Sequence, residues 1–128
     1  MPVLKNVKHD ARSPLYKTKR WQSLRIKVLV RDTYTCQMCG TILRDGRTSP
    51  HSGVVDHLQP AGLRPDLFFD EGNLQAVCKS CHDGPCSSIE ARHTDPETVK
   101  REKQAFVAIG YDATGRPTSP NHPWNAAP

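Results

Sequence analysis

Four cysteines occur as two Cys-x-x-Cys pairs, Cys36/Cys39 and Cys78/Cys81. This spacing lets both sulfur atoms of a pair face one ion, and zinc accepts four thiolates in tetrahedral geometry. A redox motif needs only one pair, and disulfides are rare in the intracellular setting that we expect for this chain. The pairs therefore predict one structural zinc ion. The fifth cysteine, Cys86, belongs to neither pair, and we interpret it as a buried or unreactive thiol.

A zinc ion enclosed by four cysteines has no open position for water, so any chemistry must come from other side chains. Three polar residues are expected near the second pair, because Asp56 and His57 end the first predicted strand and His82 directly follows Cys81; Asn73 begins the second predicted strand. Each alone is a weak signal, because an Asp-His pair usually belongs to a turn and a histidine beside a zinc cysteine often only supports the ligands. Their order is more specific: Asp-His, then asparagine about sixteen residues later, then Cys-x-x-Cys-His.

Asp56 and His57 are neighbours on a predicted strand, so their side chains should point to opposite faces. The two therefore cannot share one role, and one can hold a metal while the other faces the attacked atom. Histidine titrates near neutral pH and can accept a proton there. Asn73, at the start of the next predicted strand, can brace the hairpin with its side-chain amide.

Short elements must position these residues. Apolar spacing and a candidate N-cap at Thr18 predict a helix over 18–30. β-Branched runs predict strands over 54–58 and 73–77, and the second strand leads into the second cysteine pair. Helices are predicted over 84–92 and 94–110, the last with proline in its first turn and glycine at its end.

The chain has 128 residues, of which 36% are hydrophobic, so it fits one small domain with a modest core. Such a domain usually needs a staple such as a metal ion. We expect a basic flexible arm at 1–14, the folded domain at 15–110 and an irregular, proline-rich tail at 111–128. The sequence shows no signal peptide and no apolar run long enough to cross a membrane, which predicts a cytoplasmic protein.

The net charge is +5, and the basic excess is concentrated in residues 1–31. A basic stretch of this density suits a polyphosphate partner, because neutralised phosphates release counterions. The alternative is a solvated basic surface, and charge alone gives the two roughly even odds.

The order of these residues along the chain resembles that of the HNH endonuclease family, and in particular of the small zinc-stapled HNH proteins of bacteriophages and prophages. The match spans about residues 21–92, and a looser match continues in the tail. The matching motifs are Arg31-Asp32-x-Tyr34-x-Cys36-x-x-Cys39-Gly40, Val55-Asp56-His57-x-x-Pro60, Leu67-Phe68-x-Asp70-x-x-Asn73-Leu74-Gln75, Cys78-x-x-Cys81-His82, Gly110-x-Asp112-x-x-Gly115-x-Pro117 and His122-Pro123-Trp124.

The resemblance implies an α+β fold: a small zinc-stabilised ββα-metal (His-Me finger) domain with flanking helices and irregular termini. By this analogy Asp56 and His82 hold one divalent ion, either Mg²⁺, Mn²⁺ or another first-row metal. His57 acts as the general base that takes a proton from the attacking water. Asn73 orients the loop and the backbone of His57.

The implied activity is that of a metal-dependent DNA endonuclease, which nicks or cuts double-stranded DNA by phosphodiester hydrolysis. The resemblance also implies a phage or prophage protein in the bacterial cytoplasm, with the genome-packaging terminase as a partner. Two alternatives are a non-catalytic zinc DNA-binding module and a zinc-stapled interaction adaptor. Neither alternative explains why Asp56, His57 and His82 occur together with this spacing.

Many relatives have lysine at the position of Cys86 and histidine at that of Ala61. A lysine there could contact phosphate, so its absence predicts either weaker binding or a transfer of that role to Lys79 or Arg92. The DNA-binding residues that we predict are Lys17, Lys19, Arg20, Arg25, Lys27, Lys79 and Arg92.

Overall fold

The computed structural model describes residues 13–106, 114–116 and 118–125. Within them the regular elements are α1 (Lys19–Arg31), β1 (Gly53–His57), β2 (Leu74–Cys78), α2 (Lys79–Cys81), α3 (Ser87–Arg92) and α4 (Pro96–Ala105). Residues 1–12, most of the predicted basic arm, lie outside the described part. No helix in that part is long and apolar enough to cross a membrane.

The first helix, α1, matches its prediction to within a residue at each end. Its N-terminus is capped by Thr18, whose hydroxyl accepts a hydrogen bond from the Trp21 backbone amide at 3.2 Å. The helix buries Trp21, Val28 and Leu29 against the sheet. Asp32 ends it and also accepts a hydrogen bond from the Ala76 amide at 2.9 Å, so the end of α1 is fixed to β2.

The two strands form an antiparallel pair in which Asp56 lies opposite Gln75 and His57 opposite Leu74. Both strands were predicted, each one residue away from its observed position. Asn73 was expected to begin the second strand. It instead ends a 3₁₀ turn over Glu71–Asn73, directly before β2 begins.

The helical segment after β2 begins at Lys79, five residues before the predicted start at Gly84. Gly84 and Pro85 favour a later start in the sequence, but a π-helical turn over His82–Cys86 accommodates the proline and joins α2 to α3. The Cys78 side chain caps the segment by accepting a hydrogen bond from the Cys81 amide. His82 therefore lies within the helical segment rather than before it.

The last described helix, α4, is capped by Asp95, which accepts a hydrogen bond from the Thr98 amide at 3.0 Å. Pro96 is its first residue, as predicted, because proline is tolerated in the first turn of a helix. The helix ends at Ala105, earlier than the predicted Gly110, and residues 107–113 lie outside the described part. Its buried face carries Val99 and Lys103.

The first cysteine pair closes in a turn in which the Gly40 amide donates to the Cys36 carbonyl at 2.9 Å. Gly40 has a φ of +82°, a left-handed conformation that glycine adopts at little cost. A Cβ built at this position would lie 2.0 Å from the Thr118 carbonyl oxygen, so the chain passes directly over this turn. The hydroxyl of the buried Ser119 donates to the Met38 carbonyl at 2.6 Å. Part of the predicted tail therefore packs against the first pair.

Candidate active site

The four paired cysteines form a compact cluster in which one sulfur from each residue lies within 4.8 Å of all the others. The Sγ atoms of Cys39 and Cys78 are 3.8 Å apart. A tetrahedral zinc site with Zn–S bonds of about 2.3 Å places its sulfurs roughly 3.8 Å apart, so the cluster fits zinc. The β1–β2 pair contributes directly, because Cys78 is the last residue of β2 and Cys81 lies one helical turn further on.

The protonation of this cluster is also consistent with cation binding. Hydrogen bonds from the thiols of Cys39 and Cys81 hold the pKa of Cys36 far below its usual range. The same contact with Cys36 raises the pKa of Cys39 to about 11. One thiolate thus keeps its neighbours protonated, and a cation at the centre is what would allow all four sulfurs to ionise together.

Asp56 lies on β1 with only 3% of its surface exposed. Its Oδ1 atom is 4.0 Å from Nε2 of His82, which the π-helical turn brings to the same side of the sheet. Two ligands that bind one ion at about 2.0–2.2 Å can lie up to roughly 4.4 Å apart, so this pair fits one divalent ion. In the described part of the chain, the cysteines are the only group of three or more metal-ligating side chains. Water and phosphate oxygens would have to complete the coordination at Asp56 and His82.

His57 points away from Asp56, as adjacent strand positions require. Its Nε2 lies 3.0 Å from the Phe68 carbonyl oxygen. Because a carbonyl can only accept, Nε2 carries the proton and Nδ1 is the nitrogen able to take one. The imidazole stacks on Trp21, with ring centroids 5.4 Å apart and planes 21° apart, and also contacts the Phe68 ring at 4.8 Å. The ring is thus fixed in both tautomer and orientation.

Asn73 braces the loop that follows β1. Its Oδ1 accepts a hydrogen bond from the Gln59 amide at 2.9 Å, and its Nδ2 donates to the Gln59 carbonyl at 3.0 Å. Its own carbonyl accepts from the Leu58 amide at 2.8 Å. These contacts fix the chain just past His57. The contact to the His57 carbonyl comes instead from Lys103, whose Nζ donates to it at 2.7 Å.

A cavity of ≈ 300 Å³ brings these residues together. Asp56, His57 and His82 all line it, as do three basic residues, Arg25, Arg47 and Lys79. The arrangement combines two candidate metal ligands, a fixed imidazole and three basic side chains. A phosphodiester could contact all three features at once.

One solved structure decides which fold this arrangement belongs to: the HNH endonuclease of the deep-sea thermophilic bacteriophage GVE2, crystallised with a manganese ion. The two chains are 27% identical, with a TM-score of 0.50, over 62% of this chain and 83% of that one. This protein has the fold of an HNH endonuclease. No protein-family model matches the sequence, and no curated protein matches it either. The structural comparison confirms the resemblance and the predicted α+β fold with a cysteine cluster compatible with zinc.

The predicted DNA-binding residues of the HNH domain fall into two groups. Arg25 and Lys79 line the cavity, although Arg25 also donates to the Gly53 carbonyl at 3.1 Å and Lys79 pairs with Asp83. The others lie outside the cavity lining: Lys17, Lys19, Arg20, Lys27 and Arg92.

Two of these outer residues have partners on the loop between the strands. The Arg20 guanidinium lies 4.1 Å from the centre of the Phe69 ring, and Lys27 pairs with Glu71 at 3.3 Å. Both pairs connect α1 to the loop that carries Phe68. Their basic groups can thus support the HNH site as well as extend its positive surface.

Sequence reasoning missed three charged residues of the HNH site. Arg47 lies in a polar turn with no regular pattern, and only its charge could have signalled it. Lys103 follows the buried Val99 by four positions on α4, so helical spacing places it on the buried face. Its partner Glu90 occupies a buried position of α3. Burial alone would lower the Lys103 pKa, but Asp56 and Glu90 outweigh it and raise that pKa, so the ammonium stays charged.

The two departures from relatives have different surroundings in the HNH domain. Cys86 is fully buried, with its Sγ 3.4 Å from the Met38 sulfur, and burial raises the pKa of its thiol. It acts as a core residue and is inert as a thiolate. Ala61 is only partly buried and packs against the hydrophobic core.

Proposed function

We propose that this protein is a metal-dependent DNA endonuclease that hydrolyses phosphodiester bonds. The observation that carries the proposal is the meeting of Asp56, His57 and His82 at one cavity with a basic rim. The similar fold of a phage HNH endonuclease supports it. A zinc DNA-binding module or an interaction adaptor has no need for a fixed, buried imidazole beside an aspartate–histidine pair.

Asp56 and His82 would hold the divalent ion. When bound, that ion supplies charge stabilisation at the scissile phosphate and its leaving oxygen. Manganese in the similar phage endonuclease supports Mn²⁺ as one such ion, and Mg²⁺ has the same preference for oxygen ligands.

His57 would act as the general base. The Phe68 carbonyl keeps the proton on Nε2, so Nδ1 can remove a proton from a water molecule as it attacks phosphorus. Stacking on Trp21 prevents the ring from turning away. The Asn73 side chain bonds to the backbone of Gln59, two residues after His57. These bonds would keep the chain that follows β1, and with it His57, in place.

The basic residues would bind the phosphates of double-stranded DNA. Arg25, Arg47 and Lys79 are nearest the chemistry, and Lys17, Lys19, Arg20, Lys27 and Arg92 would extend the contact. Phosphate contacts position a protein without specifying sequence, so we propose weak sequence preference.

We further infer that the cysteine cluster holds a structural zinc ion. Cys81 precedes His82 directly, and Cys78 ends the strand opposite β1. Zinc at this cluster would fix the turn from Cys78 to Cys81, which His82 directly follows. Its role would be to place that histidine opposite Asp56 rather than to take part in the reaction.

The biological setting is also a proposal. We propose that the protein is encoded by a phage or prophage and acts in the cytoplasm of the bacterial host, and the bacteriophage source of the similar endonuclease supports the first part. Action beside the genome-packaging terminase rests on the sequence resemblance alone.

Cleavage of supercoiled plasmid tests the proposed function. We expect nicked or linear product with Mn²⁺ or Mg²⁺, no product with chelator, and recovery when the metal is restored. His82→Ala should lose at least about tenfold in rate, since it removes one of two protein ligands. The matched control is His51→Ala, which changes an exposed histidine away from the cavity and should cut like the parent. Equal cleavage by both variants, or no metal-dependent cleavage by the parent, contradicts the proposal.

A further inference from the structure

Lys103 is a fully buried lysine at the centre of the site, and no role described so far requires it. Its Nζ atom lies 3.1 Å and 3.0 Å from the two carboxylate oxygens of Asp56. It also lies 2.7 Å from the His57 carbonyl oxygen and 3.2 Å from Oε2 of Glu90. Lysine is almost never fully buried unless it is paired, and here the ammonium contacts both residues at the end of β1.

The lysine contributes to the orientation of the Asp56 carboxylate. Oδ2 accepts from Gln75 across the sheet at 3.1 Å and from Lys103, so it is held on two sides. Oδ1, which Lys103 also contacts at 3.1 Å, is the oxygen that faces His82. The carboxylate plane is therefore set by Gln75 and Lys103, and this orientation presents one particular oxygen to the position between Asp56 and His82.

The cluster holds two acidic side chains, Asp56 and Glu90, and one basic side chain, Lys103. Glu90 lies on α3 and pairs with the ammonium at 3.2 Å. The lysine is therefore shared between two carboxyl groups and does not pair with the proposed metal ligand alone.

We propose that Lys103 is a positioning residue for the divalent-ion site, acting through the Asp56 carboxylate and the His57 backbone. The inference rests on the proposed function, because it assigns a role within that same site. It makes α4 a functional part of the site, since this helix supplies the ammonium that sets the metal ligand and holds the strand end carrying the base.

A charge-matched variant separates positioning from simple electrostatics. Glu90→Gln combined with Lys103→Met removes one charge of each sign, so the net charge beside Asp56 is unchanged while its orienting contact is lost. The control is Val99→Ala, which leaves a cavity at a fully buried position of the same helix and changes no residue of the cluster. Thermal unfolding and zinc content of both variants establish how far each is destabilised.

The decisive readout is Mn²⁺ affinity by isothermal titration calorimetry on full-length, zinc-loaded protein. We expect the double variant to bind Mn²⁺ about 10–100-fold more weakly, as loss of supporting contacts behind a metal ligand does elsewhere. Its KM for DNA should stay near the parent value while kcat falls. The Val99→Ala protein should bind Mn²⁺ like the parent despite its lower melting temperature.

If the double variant binds Mn²⁺ as tightly as Val99→Ala, the positioning role is wrong, even when the parent still cuts DNA. If the parent neither binds Mn²⁺ nor cuts, the proposed function fails and this role fails with it. Lys103→Arg provides a second test if the double variant does not fold, because it keeps the charge but cannot reproduce the contacts of a compact ammonium. We expect weaker Mn²⁺ binding in that variant, and parental affinity would overturn the proposal.

Discussion

Replacing Cys81 with serine should unfold the domain, because the cysteine cluster lies in the middle of its core. Cys36, Cys78 and Cys81 are all buried and pack with the apolar residues that join α1 to the strands. The sheet has only two strands of five residues, and an isolated two-stranded pair is marginal in water. The strand pair therefore depends on the cluster.

The size of the effect follows from two general magnitudes. At about 0.05–0.15 kcal/mol per residue, a chain of this length has a stability of roughly 6–19 kcal/mol. Zinc binding by small zinc domains contributes about 10–16 kcal/mol of apparent folding energy at neutral pH. Loss of the ion would thus remove most or all of the stability, and we expect Cys81→Ser to be largely unfolded at 25 °C.

Circular dichroism, Trp fluorescence and bound zinc measured by atomic absorption test this expectation. Cys86→Ser is the matched control, because Cys86 is also buried but its sulfur contacts Met38. It should cost about 1–3 kcal/mol for a buried hydroxyl and keep one zinc ion per chain. A Cys81→Ser protein that lacks zinc yet melts at the parent temperature would show that zinc does not stabilise the fold.

Two further predictions concern the basic rim and the first cysteine pair. Arg47→Ala should weaken DNA binding about equally on all sequences and lower the slope of log K against log salt by about 1, measured by fluorescence anisotropy. An unchanged slope would show that Arg47 does not contact phosphate. Gly40→Ala should destabilise the protein by more than about 1 kcal/mol in chemical denaturation, because φ is +82° and the new Cβ would meet the Thr118 carbonyl. Gly46→Ala is its control, since Gly46 also has positive φ but nothing lies within 4 Å of the added carbon, and equal losses would show that contact with Thr118 adds nothing.

The sequence contained the local part of this structure. Cys-x-x-Cys spacing places two sulfurs on one ion, and β-branched runs beside turn residues define strands to within a residue. The cap at Thr18 and the left-handed Gly40 are also local, because each depends on the conformation of a few consecutive residues. These features were accordingly predictable from the residues themselves.

Long-range contacts account for what the sequence did not reveal. Nothing local to Lys103 shows that its ammonium reaches Asp56, which lies 47 positions earlier in the chain. The early start of the helical segment was missed because Gly84 and Pro85 normally favour a break, whereas a π-helical turn accommodates them here. Asn73 was predicted to orient the loop and the backbone of His57, but the sequence did not show that its side-chain amide bonds to the Gln59 backbone, fourteen positions earlier in the chain.

The central claim is that His57 is the base of a DNA-cutting site, and single-turnover cleavage by His57→Gln tests it most directly. Glutamine can still donate to the Phe68 carbonyl but cannot take up a proton near neutral pH. We expect His57→Gln to cut about 10²–10⁴-fold more slowly at saturating Mn²⁺, with zinc content and DNA affinity unchanged. Cleavage at the parent rate by folded, zinc-loaded His57→Gln would contradict it.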